Sequence, residues 1–277
     1  MSRKIYLLLV GCIFSSVVWS AEITPEIEYG EPALPGEFPF FVALSTIDNN
    51  KVSGEEAQNA HRCGGALIAP QWVLTAAHCV TDNLSPVTSA LIGLESYKPA
   101  FRYKEIIPVE SVKIYPLYDR LVNPGAPYDI ALVKLQYAVT DGVFARVDGQ
   151  EGNVVSKPVD FPLMVIGFGK TENAPVADVL YKLTENVFPA EDCINVPPGY
   201  PATHHDADIQ LCAGHKGEGK ASHGDSGGPL FAFQNGQYGP VVGVVSRGLL
   251  PPVEQYTRVS PYYLWIKNIL SGKSDVK

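Results

Sequence analysis

The sequence predicts an antiparallel all-β protein, and three observations support that prediction. About a dozen short runs of apolar and β-branched residues are separated by turn-forming residues. The 25 glycines and 23 prolines are spread along the 277 residues, which favours many turns over long helices. Only residues 261–270 show a clear helical pattern. Because the chain is too long for one small barrel, we expect two barrels.

The predicted strands fall into two sets, one in each half of the chain. The first half begins with residues 37–47, and the polar stretch 48–61 that follows is interpreted as an exposed loop. The remaining strand runs of that half are 66–68, 72–75, 90–94, 105–109, 112–115 and 128–135. Those of the second half are 162–167, 180–187, 209–213, 229–233, 241–246 and 255–259. The helix follows them, with Ser260 as its cap and Pro261 at its first position.

Charge and the amino terminus indicate where the protein acts. A formal net charge of −8, with no basic run, argues against nucleic acid or an anionic membrane as a partner. Residues 1–20 have the positive start, apolar middle and small cleavage-site residues of a secretory signal peptide. The alternative is a membrane anchor, but the apolar run is short for a membrane span. We therefore expect a secreted protein, extracellular or, in a bacterium, periplasmic.

The cysteines fit an exported chain. Cys12 lies in the signal peptide, which leaves Cys63, Cys79, Cys193 and Cys212 in the mature protein. An even number of cysteines in an exported chain indicates two disulfides. The count alone permits three different pairings.

The segment Gly224–Pro229, with the sequence GDSGGP, is the strongest candidate for chemistry. Glycines around a serine allow a sharp turn and leave backbone N–H groups open to a ligand. A tight turn with an incidental serine is the alternative reading. The pattern also fits the nucleophile elbow of α/β-hydrolases, in which a histidine follows the serine along the chain. All six histidines precede Ser226, so that fold is excluded and any base lies upstream.

Two upstream residues could complete a nucleophilic site. His78 follows a predicted strand in the sequence TAAHC, and Asp129 stands at the head of the predicted buried strand DIALVKL. A serine hydroxyl needs a base and an oxyanion site to react at neutral pH. Taken singly, His78 could be a satisfied buried imidazole and Asp129 a turn or cap residue. Together with GDSGGP, however, three separate segments of the chain all fit a single nucleophilic site, which argues against those separate explanations.

At this point the chain resembles the chymotrypsin/trypsin-like serine proteases over about residues 27–270. The resemblance rests on TAAHC around His78, DIALVKL from Asp129 and GDSGGP around Ser226. Further matches are CGGALI from Cys63, LCAG around Cys212 and YTRV from Tyr256. It implies two six-stranded antiparallel β-barrels, about residues 27–139 and 140–260, with the active site in the cleft between them and a C-terminal α-helix. It also implies the disulfides Cys63–Cys79 and Cys193–Cys212.

The resemblance assigns catalytic roles to individual residues. Ser226 would be the nucleophile, His78 the general base and acid, and Asp129 the group that orients the imidazole. The N–H groups of Gly224 and Ser226 would bind the oxyanion. No metal or cofactor is implied, and His204-His205-Asp206-Ala207-Asp208 is interpreted as an exposed loop rather than a metal site. The expected partners of this monomer are protein or peptide substrates and protein inhibitors. A catalytically silent, protease-like binding protein is the alternative.

Activation of a zymogen is a further implication. Cleavage before Ile27 would remove the propeptide 21–26, and the new amine of the 27–277 domain would pair with Asp225. The family usually has Arg or Lys before this bond, but Glu26 stands here. The bond before Ile27 is therefore cut either by the enzyme itself or by another protease, and the sequence permits both.

The substrate pocket departs from the family pattern. The cysteine that usually precedes GDSGG is absent, and Ser222-His223 stand there. Trypsins have an aspartate at the pocket base that binds Lys or Arg side chains, and this sequence has none at that position. Counting back from Ser226 places Lys220 at the base. If the missing cysteine is a deletion, Ala221 lines the base instead. Ser246 and Gly248 match the segment that pairs with extended substrate. Glu254 matches a position of the family that faces the pocket from the opposite wall, so it is expected to be either a specificity residue or a partner of Lys220.

Overall fold

A computed structural model describes ten segments of the chain. They are residues 30–47, 52–81, 84–118, 127–149, 162–171, 174–194, 205–216, 219–234, 236–249 and 253–273. The predicted signal peptide 1–20, the propeptide 21–26 and Ile27 lie outside the described residues.

Thirteen strands form two sheets within the described segments. They are β1 Glu31–Pro32, β2 Phe41–Ser45, β3 His61–Ala69, β4 Trp72–Thr75, β5 Ser89–Ile92, β6 Glu105–Ile114, β7 Ala131–Leu135, β8 Leu163–Gly167, β9 Tyr181–Val187, β10 Gln210–Gly214, β11 Pro229–Gln234, β12 Gln237–Gly248 and β13 Glu254–Arg258. The α-helices are α1 Gly54–Asn59, α2 Ala190–Ile194 and α3 Tyr263–Leu270, and 3-10 turns span Ala77–Cys79 and Ser260–Tyr262.

The strands close into two antiparallel barrels. The first has the order β2-β3-β4-β7-β6-β5, with β5 pairing back onto β2. The second has the order β9-β10-β13-β12-β11-β8, with β8 pairing back onto β9. Strand β1 adds to the outside of β9. The predicted fold class, two six-stranded barrels followed by a C-terminal helix, is confirmed, whereas the boundary at 139/140 stays a prediction.

The two barrels meet through backbone and aromatic contacts. Strand β2 is buried along its whole length, which fits its continuous apolar sequence FVALS. Phe38 and Phe40, just before it, pack edge-on against Phe231 of β11, with ring centroids 5.7 and 5.4 Å apart. Gly64 N of β3 also donates to Ser226 O at 2.8 Å. These contacts fix the cleft that contains the site.

Both expected disulfides are present. Cys63 pairs with Cys79 and Cys193 with Cys212, at sequence separations of 16 and 19. Loops of this length give about 3 kcal/mol of stabilisation each in the chain-entropy model. The first disulfide ties the turn that contains His78 to β3.

Several features differ from the sequence prediction. Helix α3 begins at Tyr263 rather than at Pro261, and Ser260 and Pro261 lie in the 3-10 turn before it, which has no side-chain cap. The stretch 48–61 is not a loop throughout, because α1 occupies Gly54–Asn59 and His61 is a buried residue of β3. A reciprocal pair of hydrogen bonds between Ser53 and Glu56 caps this helix. The predicted strands 105–109 and 112–115 are one strand, β6, whose register shifts between Val109 and Ser111. Such an irregularity bends a strand without ending it.

Candidate active site

The histidine and aspartate windows meet in the first barrel. His78 lies in the 3-10 turn after β4, and Asp129 lies just before β7, which pairs with β4. His78 Nδ1 is 2.7 Å from Asp129 Oδ2, and His78 N donates to Asp129 Oδ1 at 2.8 Å. A carboxylate only accepts, so the neutral imidazole carries its proton on Nδ1 and leaves Nε2 free to accept one.

The second barrel holds the aspartate in place. Ser246 Oγ of β12 donates to Asp129 Oδ2 at 2.6 Å, and Thr257 Oγ1 of β13 donates to Asp129 O at 2.9 Å. Asp129 is buried, with 4% of its surface exposed. A buried carboxylate with several donors keeps a fixed orientation. The geometry of His78 therefore depends on both barrels.

The turn around Ser226 is packed against the histidine turn. Gly227 has φ of +76°, and a side chain there would overlap Thr75 of β4, so the position requires glycine. The disulfide sulfur of Cys79 is a near neighbour of this glycine and lies 3.7 Å from His78 Nε2. Among the described residues, no hydrogen bond joins the Ser226 hydroxyl to His78. Such bonds are often long before substrate binds.

The backbone N–H groups of this turn differ in whether they bond to a backbone carbonyl. The N–H groups of Asp225, Gly227 and Gly228 each bond to a backbone carbonyl. Within the described segments, the N–H groups of Gly224 and Ser226 make no such bond. Open backbone donors beside a nucleophile can bind a developing oxyanion.

His61 braces the same turn, and sequence reasoning missed it. His61 Nε2 is 2.9 Å from Gly224 O, and His61 Nδ1 is 3.0 Å from Tyr97 Oη. Burial lowers the pKa of His61 to about 4, so the ring is neutral near pH 7. Since Gly224 O only accepts, Nε2 carries the proton and Nδ1 accepts from the Tyr97 hydroxyl. Its only sequence signal was a histidine two residues before Cys63 of the CGG run.

Asp225, the predicted partner of the Ile27 amine, is fully buried. Its Oδ1 accepts from Gly169 N at 2.7 Å, and its Oδ2 accepts from Ser222 N at 2.8 Å. Burial nevertheless raises the pKa of Asp225 to about 7. A buried carboxyl with this pKa is poised to ionise fully when it gains a cation.

A cavity of about 430 Å³ opens beside Ser226. All five predicted pocket residues line it, together with neighbours on both walls. The lining residues are Lys220, Ala221, Ser222, His223, Ser226, Val245, Ser246, Arg247, Gly248, Leu249 and Glu254. The structure thus brings the predicted nucleophile and the predicted pocket together.

Glu254 belongs to a buried acidic network behind the pocket. Tyr256 Oη lies 2.7 Å from Glu185 Oε1 and 2.9 Å from Glu254 Oε2, and the nearby Ala221 N–H favours the charged form of the Glu254 carboxyl. A hydroxyl donates one proton at a time, so a proton on either carboxyl completes the network. Burial is the main reason that the pKa of Glu185 is raised to about 7 and that of Glu254 well above its usual range.

Sequence reasoning also missed Glu185 and Tyr256. A signal existed for Glu185, because Tyr181, Leu183 and Glu185 alternate as the buried residues of β9. A glutamate in phase with the apolar face of a strand indicates a buried carboxyl with a specific partner. Its partner on β13 could not be found from spacing along the chain.

Among the described residues, two groups contain side chains of the types that bind metals, and neither group supports a metal centre. The side chains of Cys63, His78 and Cys79 place ligand atoms within 4.8 Å of one another. The two sulfurs are joined in a disulfide, so neither is the thiolate that a metal binds. In the histidine pair, His205 Nδ1 is 3.1 Å from Gln255 Nε2, and His204 lies outside the described residues.

Comparison with known proteins agrees with this geometry. The family model described as Trypsin matches residues 27–266. The chain therefore belongs to the chymotrypsin/trypsin-like serine protease family. It is 31% identical over 222 residues to human "Chymotrypsin-like elastase family member 1", which covers 76% of this chain and 82% of the relative.

Two other relatives have similar identity. Mouse "Chymotrypsin-C" is 30% identical over 250 residues, or 86% of each chain. "Phenoloxidase-activating factor 3" of Holotrichia diomphalia is 30% identical over 257 residues, which is 86% of this chain and 70% of that protein.

Among the described residues, no helix has the length and apolar character needed to cross a membrane.

The Glu185 carboxyl gives a testable dependence of stability on pH. Its pKa rises from 4.5 to about 7 on burial, so between these values the folded protein holds a proton that the unfolded chain releases. The free energy of unfolding therefore falls as pH rises through this window, by up to about 1.4 kcal/mol per pH unit. Glu185→Gln, which retains an acceptor for Tyr256, is expected to remove this contribution.

Urea unfolding at pH 5 and pH 8 measures the effect. Both proteins carry Ser226→Ala, so that the predicted nucleophile is absent during the measurement. The free energy of unfolding of Glu185→Gln, relative to that of its parent, should be higher at pH 8 than at pH 5. Glu191→Gln, an exposed glutamate of α2, serves as the matched control. A difference that does not change with pH would contradict the assignment.

Proposed function

We propose that this protein is a secreted serine endopeptidase, made as a zymogen and acting through Ser226, His78 and Asp129. The observation that supports this most directly is the pair of hydrogen bonds from His78 to Asp129, which leaves His78 Nε2 to accept a proton. The open N–H groups of Gly224 and Ser226 lie in the same turn as the hydroxyl. A base, a hydroxyl and an oxyanion site are the three parts that acyl transfer requires.

The reaction runs through an acyl-enzyme. Ser226 Oγ attacks the peptide carbonyl carbon while its proton passes to His78 Nε2. The carbonyl oxygen becomes an oxyanion bound by the Gly224 and Ser226 N–H groups. When the C–N bond breaks, His78 gives that proton to the leaving amine. Water then attacks the ester by the same route, which releases the carboxylic acid and frees Ser226.

Asp129 keeps the imidazole in the working tautomer. The Nδ1 proton points to a carboxylate, and the imidazolium that forms during each step is stabilised by the same charge. The Ser246 bond holds this carboxylate, and the Thr257 bond holds the Asp129 main chain, while His78 changes its protonation state.

Activation follows from the environment of Asp225. Removal of the signal peptide 1–20 and cleavage before Ile27 create an amine that pairs with the Asp225 carboxylate. Two backbone N–H groups and complete burial support this role, since a buried carboxylate needs a cation for full compensation. The pair orders the turn that contains the oxyanion donors.

Side-chain preference is set by the pocket. Among the described residues that line the cavity, Lys220 and Arg247 are cations and none is an aspartate, and burial raises the pKa of Glu254 well above its usual range, which disfavours its charged form. A cationic side chain would thus meet two cations, and the only carboxyl of this lining is one whose negative charge is disfavoured by burial. We expect kcat/KM for substrates with Arg or Lys before the scissile bond to be no higher than for matched neutral substrates.

A matched set of peptide substrates that differ only at that residue measures this preference at pH 7. Arg, Lys, Gln, Leu and Ala give charged, polar and apolar cases. The expected order places the neutral side chains first. A preference for Arg or Lys of tenfold or more, about 1.4 kcal/mol in transition-state binding, would overturn this interpretation of the pocket.

Covalent labelling tests the proposed function itself. A fluorophosphonate probe applied to the mature protein should label one residue, and peptide mapping should place the label on Ser226. The His78→Ala variant, which lacks the base, should label far more slowly. A folded mature protein that takes no label would favour the silent, binding-protein alternative.

A further inference from the structure

Helix α1 lies against Tyr97 and against residues 176–178 of the β8–β9 connection. Its start is fixed at Gly54, where a side chain would overlap Tyr97 O, so only glycine allows this approach. The capping bonds between Ser53 and Glu56 define its first turn. Its last residue but one, Gln58, is buried and faces the second barrel.

Gln58 is surrounded by acceptors. Its Nε2 donates to Val176 O at 2.9 Å, to Ala177 O at 3.2 Å and to Asp178 Oδ1 at 2.8 Å. Only an N–H donor fits a site built from two carbonyls and a carboxylate. This one side chain therefore joins α1, in the first barrel's β2–β3 connection, to the β8–β9 connection of the second barrel.

The first route from Gln58 to the oxyanion turn runs through Asp225. Ala177 N donates to Phe168 O at 3.0 Å and to Gly169 O at 3.3 Å. Gly169 N in turn donates to Asp225 Oδ1 at 2.7 Å. Asp225 stands between the two residues whose N–H groups form the proposed oxyanion site.

The second route runs through His61. Asp178 O accepts from Tyr97 N at 2.8 Å and from Lys98 N at 3.3 Å. The Tyr97 hydroxyl bonds to His61, and His61 bonds to Gly224 O. The two routes meet at the same turn, one on each side of the Gly224–Asp225 peptide.

Resting on the proposed function, we infer that Gln58 is a positioning residue that aligns the oxyanion donors from the opposite barrel. It holds residues 176–178, and these hold both Gly169 and Tyr97. Oxyanion stabilisation depends on donors that are fixed in advance, and a small misplacement of reacting groups costs up to about 100-fold in rate. Gln58 thus raises kcat without contacting the substrate.

Gln58→Glu tests the inference with an almost isosteric change. A carboxylate would face three acceptor oxygens, so the bonds to 176–178 are lost and replaced by repulsion. We expect kcat to fall roughly 10- to 100-fold while KM changes less than about threefold. Adding Asp178→Asn should restore part of the loss, because the new amide at position 178 can donate to the new carboxylate at position 58.

Gln71→Glu is the matched control. Gln71 also donates its side-chain amide to a backbone carbonyl, Leu135 O at 3.1 Å, but within the first barrel and away from the turn. It should lose some stability and retain kcat. Equal losses of kcat in both variants, or a Gln58→Glu enzyme with kcat within twofold of the parent, would overturn the inference.

Hydrogen exchange separates this inference from the proposed function. Amide exchange of the 222–228 segment should rise in Gln58→Glu and stay unchanged in Gln71→Glu, whether or not the protein cleaves peptides. Unchanged exchange in Gln58→Glu would refute the positioning role even if the parent is an active protease. If the parent is not labelled by the fluorophosphonate but amide exchange is raised in Gln58→Glu, only the proposed function would be wrong.

Discussion

Replacing Ser226 by alanine is expected to lower kcat by at least about 10⁴-fold while the protein folds normally. The change removes the atom that we propose forms the acyl-enzyme, and it leaves the rest of the turn intact. Ser226 is half-buried, and its structural contact is made by its backbone carbonyl, which accepts from Gly64 N. Alanine keeps that bond, so we expect the free energy of unfolding to change by less than about 0.5 kcal/mol.

Hydrolysis of a peptide ester and urea unfolding, measured on the same preparation, test this prediction. Ser271→Ala is a suitable control, since Ser271 is exposed beyond α3 and its hydroxyl bonds to Asn268 O at that helix end. It should match the parent in both measurements. A purified Ser226→Ala protein that retained a tenth of the parent activity would show that another residue is the nucleophile.

The part of this site that the sequence predicted consists of short, local windows. His78, Asp129 and Ser226 each lie in a run of five to eight residues whose composition is tied to one backbone shape. The barrels were predictable for a similar reason, because strand alternation and turn residues are local signals. The structure places these windows together, and the His78–Asp129 contact of 2.7 Å is the outcome.

The part that the sequence did not predict depends on contacts between distant segments. Helix α1 is six residues long, too short for a periodic pattern, and polar residues dominate its sequence. Gln58 lies 118 residues from Val176 along the chain, and Glu185 lies 71 residues from Tyr256. Buried polar side chains take their meaning from such partners, which only the fold supplies.

The second large effect is expected for Asp129→Asn, which keeps the shape of the side chain and removes its charge. In the parent, the Asp129 carboxylate accepts three hydrogen bonds, from His78 N, His78 Nδ1 and Ser246 Oγ. An amide has one oxygen and one NH₂ group, so it cannot accept at both positions. If its oxygen stays with His78 N and Ser246 turns away, the NH₂ group faces His78 Nδ1.

Facing a donor, His78 Nδ1 must accept, and the imidazole proton moves to Nε2. That nitrogen can then no longer take a proton from Ser226, although every heavy atom stays near its place. On the proposed mechanism, we expect kcat to fall on the order of 10⁴-fold, which is the size of the effect of this replacement in a Ser-His-Asp triad. The positive charge that forms on His78 during the reaction also loses its counter-charge.

Peptide hydrolysis gives the rate, and ¹⁵N NMR of labelled histidine gives the tautomer. The expected spectrum moves the His78 proton from Nδ1 in the parent to Nε2 in Asp129→Asn. Asp192→Asn, at an exposed aspartate of α2, should change neither. If kcat fell as expected but the proton stayed on Nδ1, the loss would come from the missing charge, and the role of Asp129 in selecting the tautomer would be wrong.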